Sequence, residues 1–166
     1  MSKKIRWGVI GAGGIARRRT IPEGILAARN AVLGAVYDRT PEVAIEIGRT
    51  SGARVAHTVA DLLGSDIDAV YVATPPHLHP EQVVACARAG KHVLCEKPMA
   101  LASEETRAMS AACASAGVTL GTAFMMRFHS QHRAALKLVQ EGRLGQPVFA
   151  RAQLSCWYPP IPKAWR

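Results

Sequence analysis

Ile5-Arg6-Trp7-Gly8-Val9-Ile10-Gly11-Ala12-Gly13-Gly14-Ile15-Ala16 decides the fold. A short apolar run leads into a G-x-G-x-x-A loop and then into a stretch that reads as helix, the context in which such a loop has meaning. Gly11 permits the tight turn, Gly13 lets the backbone approach a pyrophosphate, and Ala16 is small enough for close helix–strand packing. The helix N-terminus beyond Gly14 and Ile15 offers free N–H groups and a partial positive charge to an anion. The plain alternative is a turn in a glycine-rich chain. The strand–loop–helix setting favours a dinucleotide cradle.

Working outward, Ala31–Tyr37 is a second strand candidate and ends at Asp38. A carboxylate there can take both ribose hydroxyls of NAD. Arg39 is placed to pair with a 2′-phosphate, so the pair leaves NAD or NADP open, with Asp38 favouring NAD. Ala69–Ala73 is apolar throughout, as a strand covered on both faces should be. His92–Cys95 and Thr119–Thr122 are shorter candidates of the same kind. Thr40-Pro41-Glu42 opens a helix with Thr40 as the expected N-cap. Thr58 caps a short helix, Pro80 opens one that Gly90 closes, and Ser103 caps a long one closed by Gly117. Strands alternating with helices of this length mean right-handed crossovers and a Rossmann-type, doubly wound parallel sheet of the α/β class.

After Thr122 the pattern changes. Gln131–Glu141 has helical spacing, Gly142-Arg143-Leu144-Gly145 is a turn, and Pro147–Leu154 alternates like a half-buried strand. One helix and one strand do not make a domain. The expected organisation is a dinucleotide-binding domain over 1–122 and, over 123–166, the start of a second, truncated α/β domain.

The composition bounds the partners. The 166 residues are 49% hydrophobic and 20% charged, which is globular. No apolar stretch is long enough to span a membrane. The net charge of +9 admits nucleic acid, an anionic membrane or a phosphorylated ligand. A nucleic-acid binder should cluster its positives with aromatics. Here aromatics are 5%, and the one basic run, Arg17-Arg18-Arg19, follows the glycine loop, so neither nucleic acid nor membrane is an expected partner. Cys86, Cys95, Cys113 and Cys156 form no C-x-x-C pair, which removes support for a metal site. The basic N-terminus lacks a secretory pattern, and a reduced, cytoplasmic protein is expected.

Two further segments end strand candidates at the carboxyl edge, where open α/β sheets bind ligands. Thr74-Pro75-Pro76 cannot continue a ladder and must turn outward. His77 and His79 follow it, and histidines in such places are more often capping or surface residues than catalysts. Glu96-Lys97-Pro98 puts a charged pair at a site mouth, unless it is only a solvated strand-end turn. Pro98 is a candidate for a cis bond.

Ile5–Ala16, Ala69–His79 and the string Ala89-Gly90-Lys91-His92-Val93-Leu94-Cys95-Glu96-Lys97-Pro98 together resemble the glucose–fructose oxidoreductase/inositol dehydrogenase family (Gfo/Idh/MocA). Gly121–Arg127 and Glu141–Gly145 fit its domain junction. The resemblance implies an NAD(P)-dependent oxidoreductase acting on sugars, cyclitols or related alcohols, with a homo-oligomer expected of the full-length protein. It implies Lys97 as the active-site lysine and Glu96 as its neighbour lining the cofactor cleft. Ala12 to Ile15 would hold the pyrophosphate, with Gly11 making the turn of the same cofactor-binding loop, and Asp38 and Arg39 would hold the adenosine ribose. Ala73, Thr74, Pro75, Pro76 and His79 would border the nicotinamide side, with Arg127 projecting into the cleft. Within the family, Gly117–Thr122, Arg127, His132-Arg133, Tyr158-Pro159-Pro160 and Trp165-Arg166 look most like the 1,5-anhydrofructose reductase branch, in which the Trp165-Arg166 pair would lie near the cofactor. Asp38 departs from the small hydroxyl residue of that branch's NADPH-using members. The family's D-x-x-x-H motif, whose histidine works with the lysine, does not occur in these 166 residues. The chain is therefore expected to be either part of a longer enzyme, inactive alone, or a truncated product that binds cofactor and does not turn over. A different class of reading is a cofactor-binding module or sensor without catalysis.

Overall fold

A computed structural model describes residues 4–157. Five of its strands arise from short apolar runs: β1 (Ile5–Ile10), β2 (Ala31–Tyr37), β4 (Ala69–Val72), β5 (His92–Cys95) and β6 (Leu120–Thr122). β3 (Arg54–Val55) is too short to show any periodicity. All pairings are parallel and the order is β3-β2-β1-β4-β5-β6. β1 lies at the centre, and the chain winds outward from it first to one side and then to the other.

Alternation along the strands splits the core between the two faces. Ile10, Val70 and Val72 pack with Leu62, Val83, Cys86 and Met109 from α2 (Val59–Leu63), α3 (His79–Arg88) and α4 (Ser103–Ser115). Val9, Val36 and Tyr71 pack on the other face with Ala16, Ile21, Ala44 and Ile47. Those four come from the first helix and from α1 (Pro41–Ser51). Every residue of β4 is buried, as a strand with helices above and below requires.

The helix after the glycine loop, Ala16–Ile25, is π-helical, with Leu26 N–H donating to Ile21 O at 2.9 Å. Pro22 sits inside it, where an α-helix would lose a hydrogen bond and clash with a preceding carbonyl. Arg17 and Arg19 pair with Glu46 (2.6 Å) and Glu23 (2.7 Å), so most of the basic run is neutralised within the chain.

Two expected caps differ. Thr40 holds the N-cap position of α1, but its hydroxyl makes no capping bond; Asp38 Oδ1 accepts from the Thr40 amide instead, at 2.8 Å. Ser103 is the first residue of α4, and Glu105 accepts from the Leu101 and Ala102 amides, both at 3.1 Å. Thr58 caps α2 as expected, its Oγ1 accepting from Asp61 N–H at 3.0 Å.

The chain divides into two compact units, Met1–Ala123 and Phe124–Arg166. Within the described part of the second lie a 3₁₀ turn (Met125–Phe128), α5 (Ser130–Gln140) and the turn closed by Gly142 and Gly145. The strand expected over Pro147–Leu154 is absent: these residues have no regular structure, and Val148, Phe149 and Leu154 are exposed. Alternation makes a strand only where a neighbour completes the ladder, and among the described residues none lies beside it. No helix among the described residues is long and apolar enough to cross a membrane.

All four cysteines are free thiols. Burial pushes Cys86 and Cys95 up to about 12 and raises Cys113, so none of the three carries thiolate at neutral pH. At pH 8 a thiol reagent should therefore label Cys156 alone quickly, and the other three only on unfolding. Stopped-flow labelling with mass spectrometry checks this, and rapid native labelling of Cys86 would contradict it.

Candidate functional site

Four strand ends in the first unit converge at the carboxyl edge of the sheet. At β1, Gly11 turns with φ +86°, and a Cβ there would lie 2.7 Å from Thr74 N and 2.8 Å from the Ala73 carbonyl carbon. The glycine is thus required twice, by its dihedral and by contact with the end of β4. Gly11 N–H donates to Tyr37 O (3.0 Å) and Ala73 N–H to Ile10 O (2.8 Å), which lock the loop between its neighbours. Ala12 and Ala16 are fully buried. Gly13 and Gly14 are exposed, and a Cβ on Gly14 would meet open space.

Asp38, at the end of β2, faces this loop. Its Oδ2 accepts from Gly13 N–H at 2.8 Å and its Oδ1 from Thr40 N–H. Asp38 thus fixes the turn into α1 and stands beside the glycine loop. A carboxylate has about four acceptor sites, so roughly two remain for a ligand. Arg39 is exposed, with no ion pair among the described residues. A Cβ on Gly13 would lie 3.4 Å from Asp38 Oδ2, so the loop and the carboxylate are fitted to each other.

At the end of β4, Thr74 Oγ1 donates to Gln82 on α3 at 2.6 Å, and Pro76 is buried at the start of a 3₁₀ turn over Pro76–Leu78. His77 is exposed. His79 has another place than the ligand-facing one expected: it is buried, with both ring nitrogens on backbone carbonyls. Its ring offers no free polar atom to a cofactor.

At the start of β5, Gly90 closes α3 in the left-handed region, Lys91 Nζ donates to Ile67 O (2.9 Å), and His92 Nδ1 accepts from Thr119 N–H (3.0 Å). These residues seat the strand; Glu96, Lys97 and Pro98 emerge at its carboxyl edge. The Lys97–Pro98 peptide is cis. Lys97 is exposed. Glu96 is held from two sides. Tyr71 Oη donates to its Oε1 at 2.6 Å, and its Oε2 accepts from Lys97 N–H at 3.1 Å. Thr20, on the π-helix, donates in turn to Tyr71 Oη at 3.1 Å. Burial and the Glu96 carboxylate both raise the Tyr71 phenol, which keeps its proton and stays a donor. Sequence reasoning missed this Thr20–Tyr71–Glu96 chain; its one visible signal is a tyrosine in an otherwise aliphatic strand.

Arg127 is exposed on the Met125–Phe128 turn of the second unit. Trp165 and Arg166 lie outside the described residues, as does the Tyr158-Pro159-Pro160 segment. No group of three or more metal-ligating side chains occurs among the described residues.

Six parallel strands in this order, with a glycine turn at the end of the first and an acid at the end of the second, define a Rossmann domain. Residues 5–124 match the oxidoreductase family with an NAD-binding Rossmann fold, Gfo/Idh/MocA, and the chain belongs to that family. A 1,5-anhydro-D-fructose reductase of Ensifer adhaerens is 40% identical over 163 residues, 97% of this chain and 48% of that one. The WlbA dehydrogenase of Bordetella pertussis, solved with NADH and UDP-GlcNAcA, is similar with a TM-score of 0.80 and 33% identity, over 88% of this chain and 42% of that one. A 3-ketoreductase of Actinomadura kijaniata, solved with NADP and TDP-benzene, gives 0.78 and 35%, over 84% and 43%. The chain spans about half the length of the curated relatives it matches.

Proposed function

We propose that this chain is the cofactor half of an NAD(P)-dependent oxidoreductase that moves a hydride between a nicotinamide and a sugar, cyclitol or related alcohol or ketone. The observation that carries the reading is the cradle at the carboxyl edge. Gly11 is packed on Ala73–Thr74, Gly13 and Gly14 leave backbone open at a helix start, and Asp38 lies within hydrogen-bond reach of Gly13. That cradle fits a dinucleotide: the loop from Gly11 to Ile15 would receive the pyrophosphate, and Asp38 and Arg39 the ribose. Ala73 to Pro76 and Glu96-Lys97 would flank the nicotinamide side. When bound, the nicotinamide supplies the hydride chemistry. Lys97 would hydrogen-bond the substrate oxygen through Nζ and help move its proton. Glu96, fixed by Tyr71 and by the Lys97 amide, would keep that lysine's backbone in place. Residues 123–166 would begin the second, substrate-facing domain.

Calorimetric titration of the chain with NAD(H) and NADP(H) tests the binding reading. Gly13→Val should weaken binding at least tenfold, ~1.4 kcal/mol, because its side chain meets Asp38 and fills the approach to the loop. Equal affinity for wild type and variant would refute the cradle.

Asp38 sets the expected preference. A carboxylate repels a 2′-phosphate, so wild type should favour NAD(H), and Asp38→Ser should shift the ratio toward NADP(H) by roughly tenfold. Arg39 remains to pair with the phosphate. A wild type that already prefers NADP(H) tenfold would contradict this.

A further inference from the structure

His79 is buried to near completeness, with 1% exposure. It stands at the start of α3, yet its ring bonds neither that helix nor solvent. Nε2 lies 2.8 Å from Thr74 O, at the end of β4. Nδ1 lies 3.1 Å from Pro98 O and 3.2 Å from Met99 O, just past the end of β5. Carbonyl oxygens only accept, so each ring nitrogen must donate to make its bond, and a ring with one proton satisfies one side at a time. No other side-chain hydrogen bond among the described residues joins the turn after β4 to the segment after Lys97. The sheet ladder stops at Glu96 N–H, which donates to Val72 O. Beyond that point, among the described residues, the side-chain hydrogen bonds between the two turns all run through this ring.

We propose that His79 is a positioning residue for Lys97: by tying Thr74 O to Pro98 O and Met99 O, it fixes the Glu96-Lys97-Pro98 turn against the end of β4. The inference rests on the proposed function only for the part Lys97 plays, not for the tie itself. The Nδ1 arm is the one that reaches the lysine's turn, so it should carry the positioning. An asparagine amide overlays the Nδ1 side of a histidine ring and a glutamine amide its Nε2 side, and each offers a donor there.

The experiment compares wild type, His79→Asn and His79→Gln in the 166-residue chain. Amide hydrogen exchange is first read at residues 96–100 without dinucleotide. His79→Gln should speed exchange there by roughly tenfold, while His79→Asn stays near wild type. Acylation of Lys97 is then followed by mass spectrometry with and without NAD(H), with Lys91, bonded to Ile67 O, as the internal standard. Bound dinucleotide should protect Lys97 in wild type and in His79→Asn. In His79→Gln it should protect Lys97 several-fold less, at an affinity within about threefold of wild type.

A general loss of stability would speed exchange in all segments and change Lys91 with Lys97; that pattern, or identical behaviour of the two variants, overturns the proposal. Faster exchange at 96–100 with Lys97 protection intact also overturns it. If wild type binds no dinucleotide, the proposed function fails. The exchange data then still decide whether His79 holds the turn.

Discussion

Gly11→Ala is expected to cost the folded chain roughly 2–4 kcal/mol, from the positive φ and from a Cβ driven into backbone, and to lower Tm on the order of 10 °C. Besides the Thr74 methyl group, a Cβ would meet two backbone atoms, Thr74 N and the Ala73 carbonyl carbon, at 2.7 and 2.8 Å, and neither of these can swing aside as a side chain end could. Any relief must come from moving β1 relative to β4, at the centre of the sheet. Differential scanning calorimetry gives the stability, and titration of the folded fraction gives NAD(H) affinity. Both should fall together, because the residue that makes the turn also shapes the cradle. A variant with unchanged Tm would show that the loop is not packed as described.

The second large effect concerns Lys97. In a full-length protein that carries this chain, Lys97→Ala should lower kcat by ~10²–10⁴-fold, the usual worth of positioned acid–base help. Dinucleotide affinity should change far less, since the glycine loop and Asp38 are untouched. NAD(P)H absorbance with a panel of sugars, inositols and 1,5-anhydrofructose reads the first, and calorimetry the second. Turnover surviving the substitution would remove Lys97 from the chemistry. The 166-residue chain alone should show little turnover, and robust turnover by it would refute the view of it as the cofactor half.

Much of the sheet was legible because each strand of a parallel sheet must be apolar on both faces. Ile5–Ile10, Ala31–Tyr37 and His92–Cys95 stand out between turn signals and coincide with the observed strands. Arg54–Val55 was invisible because two residues have no period. Pro147–Leu154 shows the opposite error: a strand's pattern without the neighbour that makes it one. A helix after the glycine loop was legible, but its π winding around Pro22 was not, because the same residues fit a helix of ordinary pitch until Pro22 is placed. At the site, spacing found the loop, the acid and the charged pair, since each follows directly from the end of a strand. It could not find which acceptors meet the His79 ring, or that Tyr71 reaches Glu96. Those bonds join residues far apart in sequence, Tyr71 to Glu96 and His79 to Pro98, and depend on the sheet being already built.

The central place of β1 has a consequence for how the chain is made. Ile5 pairs with Ala31 on one side, but on the other Trp7 pairs with Ala69. As the chain leaves the ribosome, the first strand, its helix and the second strand emerge well before β4. During that interval β1 has one edge open, and closing it must wait for a long loop whose entropy opposes it. An unpaired apolar edge of this kind is a template for a neighbouring nascent chain. Synthesis that pauses before Ala69 should therefore yield aggregate, and a pause after Val72, with the central pairings available, should yield far less.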